Sequence, residues 1–333
     1  MSVPCVRVER EDGERVRAAL AESDLIDGTH EISQEEGWLF VPVVDPAAVP
    51  DGYDVVYRDA PTRETQTMPD DLVEFDASYE RIGDIAVVDE DDPDRARALA
   101  AAIRESALPV RTVLNRASKI QGAQRVREWE VLAADRGDDR PPTETVHREY
   151  GCAFRLDLAS MYFSPRLATE RHRVAEQVAA EECAFDMFAG VGPFAVPFAA
   201  RGAEVVGTDI NEAAIAYLRD NARHNGVADR VTALCADVRE VAPDYQGWAD
   251  RVVMNLPHSA GEFLPSAIGL AGETCVLHYY DIQSDEDPYG PGERAIRAAA
   301  EPDYAVTVET RRTVRSYAPH ELNVVLDVRL DRS

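Results

Sequence analysis

At 333 residues and 45% hydrophobic content, the chain is long enough to bury a sizeable core and to divide into two or three domains, and no run of about 20 apolar residues offers a membrane span. The formal charge of −27 comes from 62 acidic against 35 basic side chains, and Lys119 is the single lysine; this weighs against a polyanion held by long-range attraction and resembles a protein of a high-salt (halophilic) cytoplasm. Five cysteines without C-x-x-C spacing argue against a zinc site or a disulfide framework, and the charged opening MSVPCVRVER is not expected to be a secretory leader, so the expected location is cytoplasmic.

In chain order, residues 1–62 read as a small unit: a strand CVRVER, a helix around GERVRAALAES and a short strand WLFVPV, before the polar, proline-bearing linker DAPTRETQTMPDD. Residues 70–160 read as a second α+β unit. Its strands are GDIAVVD, VRTVLN, REWEVL and a return AFRLDL, and its helix is DPDRARALAAAIRES. From residue 161 to 333 strands and helices alternate: AFDMF, AEVVGTDI, VTALCAD, ADRVVMN and TCVLHYY are the strands, separated by helices such as NEAAIAYLRDNARHN. Such alternation predicts a parallel sheet flanked by helices, and two long strand patterns at the end, YAVTVETRRTV and NVVLDVRL, predict an antiparallel pair added to it. The expected fold class is therefore α/β, Rossmann-like, preceded by two small α+β domains. Asn211 is a predicted helix N-cap, and Gly226 a predicted C-cap glycine.

The loop DMFAGVGPF, followed by Asp209 in GTDI, Asp237 in ADVRE and Asn255 in MNLPH, outlines a nucleoside-cofactor site. A glycine turn after an apolar strand lets backbone approach a ligand, and an acid closing the next strand can accept bonds from both ribose hydroxyls. Gly190, Gly192 and Ala195 also satisfy the dinucleotide spacing G-x-G-x-x-A, so a nicotinamide enzyme is a competing reading. Charge separates the two. Asp186 stands just before the turn, where a carboxylate repels a pyrophosphate and attracts the ammonium or sulfonium of S-adenosylmethionine.

The run TETVHREYGCAFRLDLASMYFSPRLATER, together with DMFAGVGPFAVPFA, ADVRE, MNLPH and VRSYAPHE, resembles the archaeal tRNA (guanine-37-N1)-methyltransferase family over nearly the whole chain. The resemblance implies a class I methyltransferase domain, S-adenosylmethionine as donor, a flipped anticodon-loop guanine as acceptor, and an N-terminal module that touches the tRNA elbow. No obligate protein partner is expected, and the chain is expected to act as a monomer. By motif, the resemblance assigns Arg125, Glu170, Asn255 and Pro257 to the base, and Phe188, Asp209 and Asp237 to the cofactor. The charged insertion after Leu132 and the scarcity of lysine depart from the family pattern.

The chemistry suits these residue types. Methylating guanine N1 requires loss of a proton from a nitrogen neutral at ordinary pH, and Glu170 is the candidate base, although a carboxylate in a first helical turn has a purely structural use. Negative charge then accumulates on O6, where Arg125 offers a planar donor fork; its structural alternative is a surface pair with Glu128. The amide of Asn255 both donates and accepts, and Pro257 stiffens its loop. Asp237 can accept from the adenine amino group or cap the turn that follows. Tyr162 and Phe188 are candidates to pack against cofactor or base. His147, His172, His258 and His278 lack metal-ligand spacing, so no metal is expected, and Ser164 lacks a nucleophile's setting. Two further alternatives stay open at this point: a wyosine-pathway enzyme of the same family, transferring an aminocarboxypropyl group or methylating the tricyclic base, and a tRNA-binding protein without activity.

Overall fold

Alternating apolar residues make β1 (Ser2–Glu9) one wall of a small core: Val6 and Val8 face Val16 and Leu20, which lie on one side of α1 (Gly13–Glu22), and Val41 from the neighbouring strand. The computed structural model describes every residue except Met1, Glu36, Asp51, 64–65, 120–121, 123–124, Arg136 and Asp138. Parts of the predicted linker, of the charged insertion and of the motif around Arg125 (its Gln124) therefore lie outside the described residues. By contacts the chain separates into two units, Met1–Leu72 and Val73–Ser333.

In the first unit, β2 (Ser33–Glu35), β3 (Trp38–Pro42) and β4 (Asp54–Asp59) join β1 in an antiparallel sheet of order β2-β3-β1-β4. The sequence reading missed β2 and β4. Both are short, and β4, DVVYRD, has no fully buried position, so an alternating apolar signal is weak there.

The second unit opens with a four-stranded sheet, β5 (Glu80–Ile82), β6 (Ile85–Val88), β7 (Thr112–Arg116) and β8 (Trp129–Ala134), in sequential order. Helix α2 (Pro93–Glu105), capped by the Asp92 carboxylate on two backbone N–H groups, packs Leu99 and Ile103 on Val88 and Val113. The AFRLDL strand, β10 (Cys152–Asp157), does not return to this sheet as predicted. It forms a separate hairpin with β9 (Glu144–Glu149) through Tyr150 and Gly151, both at positive φ as a tight two-residue turn requires. Side chains of Asn221 and Asn225 bond the backbone of Ala153 and Arg155, pairing the strand's outer edge with a helix instead of another strand.

The seven-stranded sheet follows. After α3 (Ala168–Ala175) come β11 (Cys183–Asp186), α4 (Ala195–Ala200), β12 (Glu204–Asp209), α5 (Glu212–His224), β13 (Val231–Cys235), α6 (Val238–Val241), β14 (Ala249–Met254), α7 (Leu264–Leu270), β15 (Ala271–Ser284), α8 (Gly290–Ala300), β16 (Tyr304–Ala318) and β17 (Glu321–Arg332). Strand order is β13-β12-β11-β14-β15-β17-β16, with the first five strands parallel and β17 antiparallel to both of its neighbours, β15 and β16. Helix α8 was not anticipated, although its buried Gly292, Ile296 and Ala300 recur at a helical interval. Ile85 and Leu114 of the four-stranded sheet share one core with Phe154, Phe163, Phe198 and Ile215, so residues 73 to 333 pack as a single body. The order of the strands reverses between β11 and β14, and at such a switch point the carboxyl ends of adjacent strands leave a crevice.

Candidate active site

Two loops leave the sheet at the switch point. One is the glycine loop after β11; the other, starting at Asn255, follows β14. They line one cleft of about 1420 Å³, larger than the roughly 300–1,000 Å³ of an ordinary small-molecule pocket and able to admit more than one ligand. Gly190 (φ +53°) and Gly192 (φ +92°) both adopt left-handed backbone, but for different ends. A Cβ on Gly190 meets nothing within 4 Å, so this turn is open toward the cleft; one on Gly192 would lie 2.3 Å from Leu218 Cδ1, so Gly192 brings the loop down onto α5.

Asp209 locks the loop to the end of β12. Its Oδ2 accepts the Gly190 N–H at 2.9 Å and its Oδ1 the Asn211 N–H at 2.9 Å, and burial pushes its carboxyl above the usual range. Asn211 caps α5 through its Oδ1 and donates from Nδ2 to the Ser160 carbonyl at 2.7 Å, tying the start of α5 to the segment around Ser160. Asp237 caps α6, and Arg239 wraps the same carboxylate, whose hydrogen bonds hold it below the ordinary range. Phe188 meets Phe263 edge to face at 5.0 Å, and Arg239 lies over Phe263.

Of the residues singled out from sequence, Arg125, Tyr162, Phe188, Gly190, Asp209, Asp237, Asn255 and Pro257 line the cleft. The Arg125 guanidinium sits 4.9 Å above the Tyr162 ring. Gly192, Asp186 and Glu170 are not among the lining residues. Asp186 is 1% exposed; its Oδ1 accepts a 3.4 Å bond from the Phe188 N–H, while its buried Oδ2 has no partner among the described residues. Burial, with the nearby Asp209 charge assisting and the Phe188 N–H opposing, pushes its carboxyl up to about 7.

Glu170 is 4% exposed and already engaged: Tyr280 donates to Oε1 at 3.0 Å, Arg173 binds both oxygens, and Arg312 approaches Oε2 at 3.4 Å. Arg173 also bonds Asp327, which accepts from His278 Nδ1 at 2.7 Å. Arg251 meets His278 Nε2 at 2.6 Å and pairs with Glu182. Burial lowers the His278 pKa, so the ring is neutral with its hydrogen on Nδ1, and Asp327 is held well below the carboxylate range despite its burial.

The sequence reading overlooked the terminal hairpin's share of the cleft: Ile282, Arg315, Tyr317 and Asn323 line it as well, and Tyr317 meets the His258 ring at 5.1 Å. Three arginines on one strand of an acid-rich chain, Arg311, Arg312 and Arg315, were the available signal. Eight lining residues are Arg or Lys and six are Asp or Glu, so the cleft is weakly cationic in a chain of charge −27.

The chain matches the model of the TRM5/TYW2 methyltransferase domain over residues 145–308, that of the tRNA methyltransferase 5 N-terminal domain over 5–51, and that of the TYW2 N-terminal domain over 65–139. It is 38% identical to the tRNA (guanine(37)-N(1))-methyltransferase Trm5b of Pyrococcus abyssi, covering 98% of each chain. The crystal structure of Pyrococcus abyssi Trm5b superposes with a TM-score of 0.73 over 99% of both chains at 36% identity. At 32% identity, over 81% of this chain and 95% of the relative, it also resembles the tRNA(Phe) (4-demethylwyosine(37)-C(7)) aminocarboxypropyltransferase of Pyrococcus horikoshii.

Proposed function

The chain belongs to the TRM5/TYW2 methyltransferase family, and on that premise we propose how this site works as an S-adenosylmethionine-dependent tRNA (guanine-37-N1)-methyltransferase. The observation that carries the reading is the meeting, at one switch point, of the Asp209-anchored glycine loop and the Asn255–Pro257 loop in a weakly cationic cleft.

The residues present fit the cofactor: an open glycine turn at Gly190 and a strand-end carboxylate at Asp209 line the cleft, and the Asp186 carboxylate, buried at the base of the glycine loop, keeps one oxygen with no hydrogen-bond partner among the described residues, which suits a cationic nucleoside. Bound there, S-adenosylmethionine supplies an electrophilic methyl group. Asp209 would accept from the ribose hydroxyls, and Asp186 would stabilise the cationic end. Phe188 and Asp237 border the adenine, with the Asp237 carboxylate kept in place by Arg239.

The target guanine leaves the anticodon-loop stack at a cost of about a few kcal/mol and enters beside Asn255, Pro257 and Tyr162. Glu170 takes the N1 proton after exchanging its contacts with Arg173 and Arg312 for the base. Arg125 donates to O6, where the electron density released by deprotonation collects. The N1 lone pair would then form the new bond to the methyl carbon as the carbon–sulfur bond breaks, the electron pair of that bond staying on sulfur and S-adenosylhomocysteine leaving. The N-terminal unit contacts the tRNA elbow, and the protein acts as a monomer in the cytoplasm; among the described residues no helix is long and apolar enough to cross a membrane.

Labelled S-adenosylmethionine incubated in high salt with tRNA transcripts carrying G or another base at position 37 tests the reading. The expected product is 1-methylguanosine, formed only with G37. Label recovered as an aminocarboxypropyl group, or transfer independent of the base at 37, overturns it.

A further inference from the structure

Arg315 and Asn323 are cross-strand partners in the β16–β17 ladder, and both line the cleft. Asn323 is 3% exposed, its Oδ1 is buried, and that acceptor has no hydrogen-bond partner among the described residues; the same holds for the buried Arg315 Nε–H donor. A buried polar atom left unpaired costs about 1–3 kcal/mol, so two side by side on a site wall mark places where a ligand supplies the missing bonds. They stand next to the acceptor side of the site: Tyr317, two residues along the same strand, touches His258 of the loop that carries Asn255 and Pro257.

We propose that Arg315 and Asn323 form the subsite for the sugar–phosphate of the nucleotide being methylated. Asn323 Oδ1 accepts the ribose 2′-hydroxyl, and Arg315 donates to an adjacent phosphate oxygen. An unpaired acceptor beside an unpaired cationic donor matches a hydroxyl donor beside an anionic acceptor, which is the pattern a ribonucleotide displays along its backbone. A base edge also offers donors and acceptors, but it carries charge only once N1 has lost its proton, whereas a phosphate is anionic throughout. Arg125 and the Asn255 loop already serve the base in the function proposed above, on which this inference rests. The pair thus makes the enzyme read RNA as RNA at the reacting nucleotide.

The test uses the full-length enzyme and three tRNAs, identical except that position 37 is guanosine, 2′-deoxyguanosine or inosine. For wild type, kcat/KM is expected to fall about 10-fold on the deoxy substrate, the worth of one bond to an otherwise unsatisfied acceptor. Asn323→Ala should lower kcat/KM on the all-ribose tRNA by a similar factor and erase the ribose preference, with cofactor affinity unchanged. Arg315→Gln should raise KM more than it lowers kcat while keeping that preference. Equal wild-type rates on the ribose and deoxy substrates overturn the proposal without need of any variant. So does an Asn323→Ala enzyme that keeps its ribose preference, or one that instead loses a preference for guanosine over inosine, which would make the pair a base reader. In each of those cases wild-type methylation of guanosine-37 continues and the assigned function stands; its failure on the all-ribose tRNA would remove both.

Discussion

Two buried carboxylates, Asp186 and Glu170, have different surroundings, and the proposed mechanism gives them different tasks. Asp186 has only backbone donors near it, the Phe188 N–H at 3.4 Å among them, and a carboxyl pushed up to about 7, whereas Glu170 is surrounded by Arg173, Arg312 and Tyr280. For Asp186 the folded state holds its proton at pH values where the unfolded chain, near 3.9, has released it. Its contribution to stability is thus full below about pH 4, declines as pH rises, and is lost above about 7, by at most about 4 kcal/mol. Asp186→Asn should therefore be increasingly more stable than wild type as pH rises from 4 to 8, as read by thermal melts. Cofactor binding has the opposite slope: a cationic ligand favours the ionised form, so wild-type affinity should tighten as pH rises toward 7 and level off above it, while Asp186→Asn shows no such trend. A titration in which wild type and variant keep parallel pH profiles would sink the assignment. For Glu170, replacement by Gln keeps shape and removes basicity, so kcat should drop about 10²–10⁴-fold with cofactor affinity nearly intact. Loss of cofactor affinity in proportion to kcat would mean that the residue holds structure and not the N1 proton.

Among the elements, the glycine loop shows why strand ends and turns were legible while partners across the fold were not. Its two glycines separate by what surrounds them: Gly192→Ala forces a methyl against Leu218 and Val196 beneath it and should cost about 1–3 kcal/mol of stability, whereas Gly190→Ala, with open space around it, should cost about 1 kcal/mol and mostly weaken the cofactor. Comparing Tm and cofactor Kd for the two variants checks this; equal Tm losses would contradict it. Spacing along the chain revealed the loop, Asp209, the Asn211 cap and the alternation that builds the sheet, because each is a local rule. The engagement of Glu170 by Arg312 and the linkage of Arg173 to Asp327 join residues about 140 or more positions apart, and no local period encodes them. Likewise AFRLDL has the pattern of any half-buried strand, and only the Tyr150–Gly151 turn and the Asn221 and Asn225 side chains decide that it pairs with β9. Arg315 was passed over because an edge strand of largely alternating exposure looks like a solvated face until the loop opposite it is in place, and Asn323 because it stands at the start of an otherwise apolar buried run in β17.

At the scale of the molecule, charge is partitioned: 62 carboxylates face 35 cations overall, yet the cleft alone has more cations than carboxylates. Much of this cleft's positive charge is nonetheless bridged, as Arg116 and Arg166 are to Glu80 and Arg171 is to Glu149, so few guanidinium groups remain to exchange counterions with phosphates. Salt acts on these two features in opposite directions. Between about 0.1 M and 1 M the Debye length contracts from roughly 10 Å to 3 Å, which suppresses repulsion among the surface carboxylates and stabilises the fold, while short contacts inside the cleft are screened much less. Raising KCl over that interval should raise Tm by several degrees. Over the same interval log(kcat/KM) for tRNA should fall with log[KCl] at a slope shallower than about −3, against about −0.7 for each phosphate neutralised on a single strand. A steeper slope would show that long-range attraction governs tRNA capture. A Tm that is flat or falls with salt would show that repulsion among the acidic side chains is not what limits the stability of this fold.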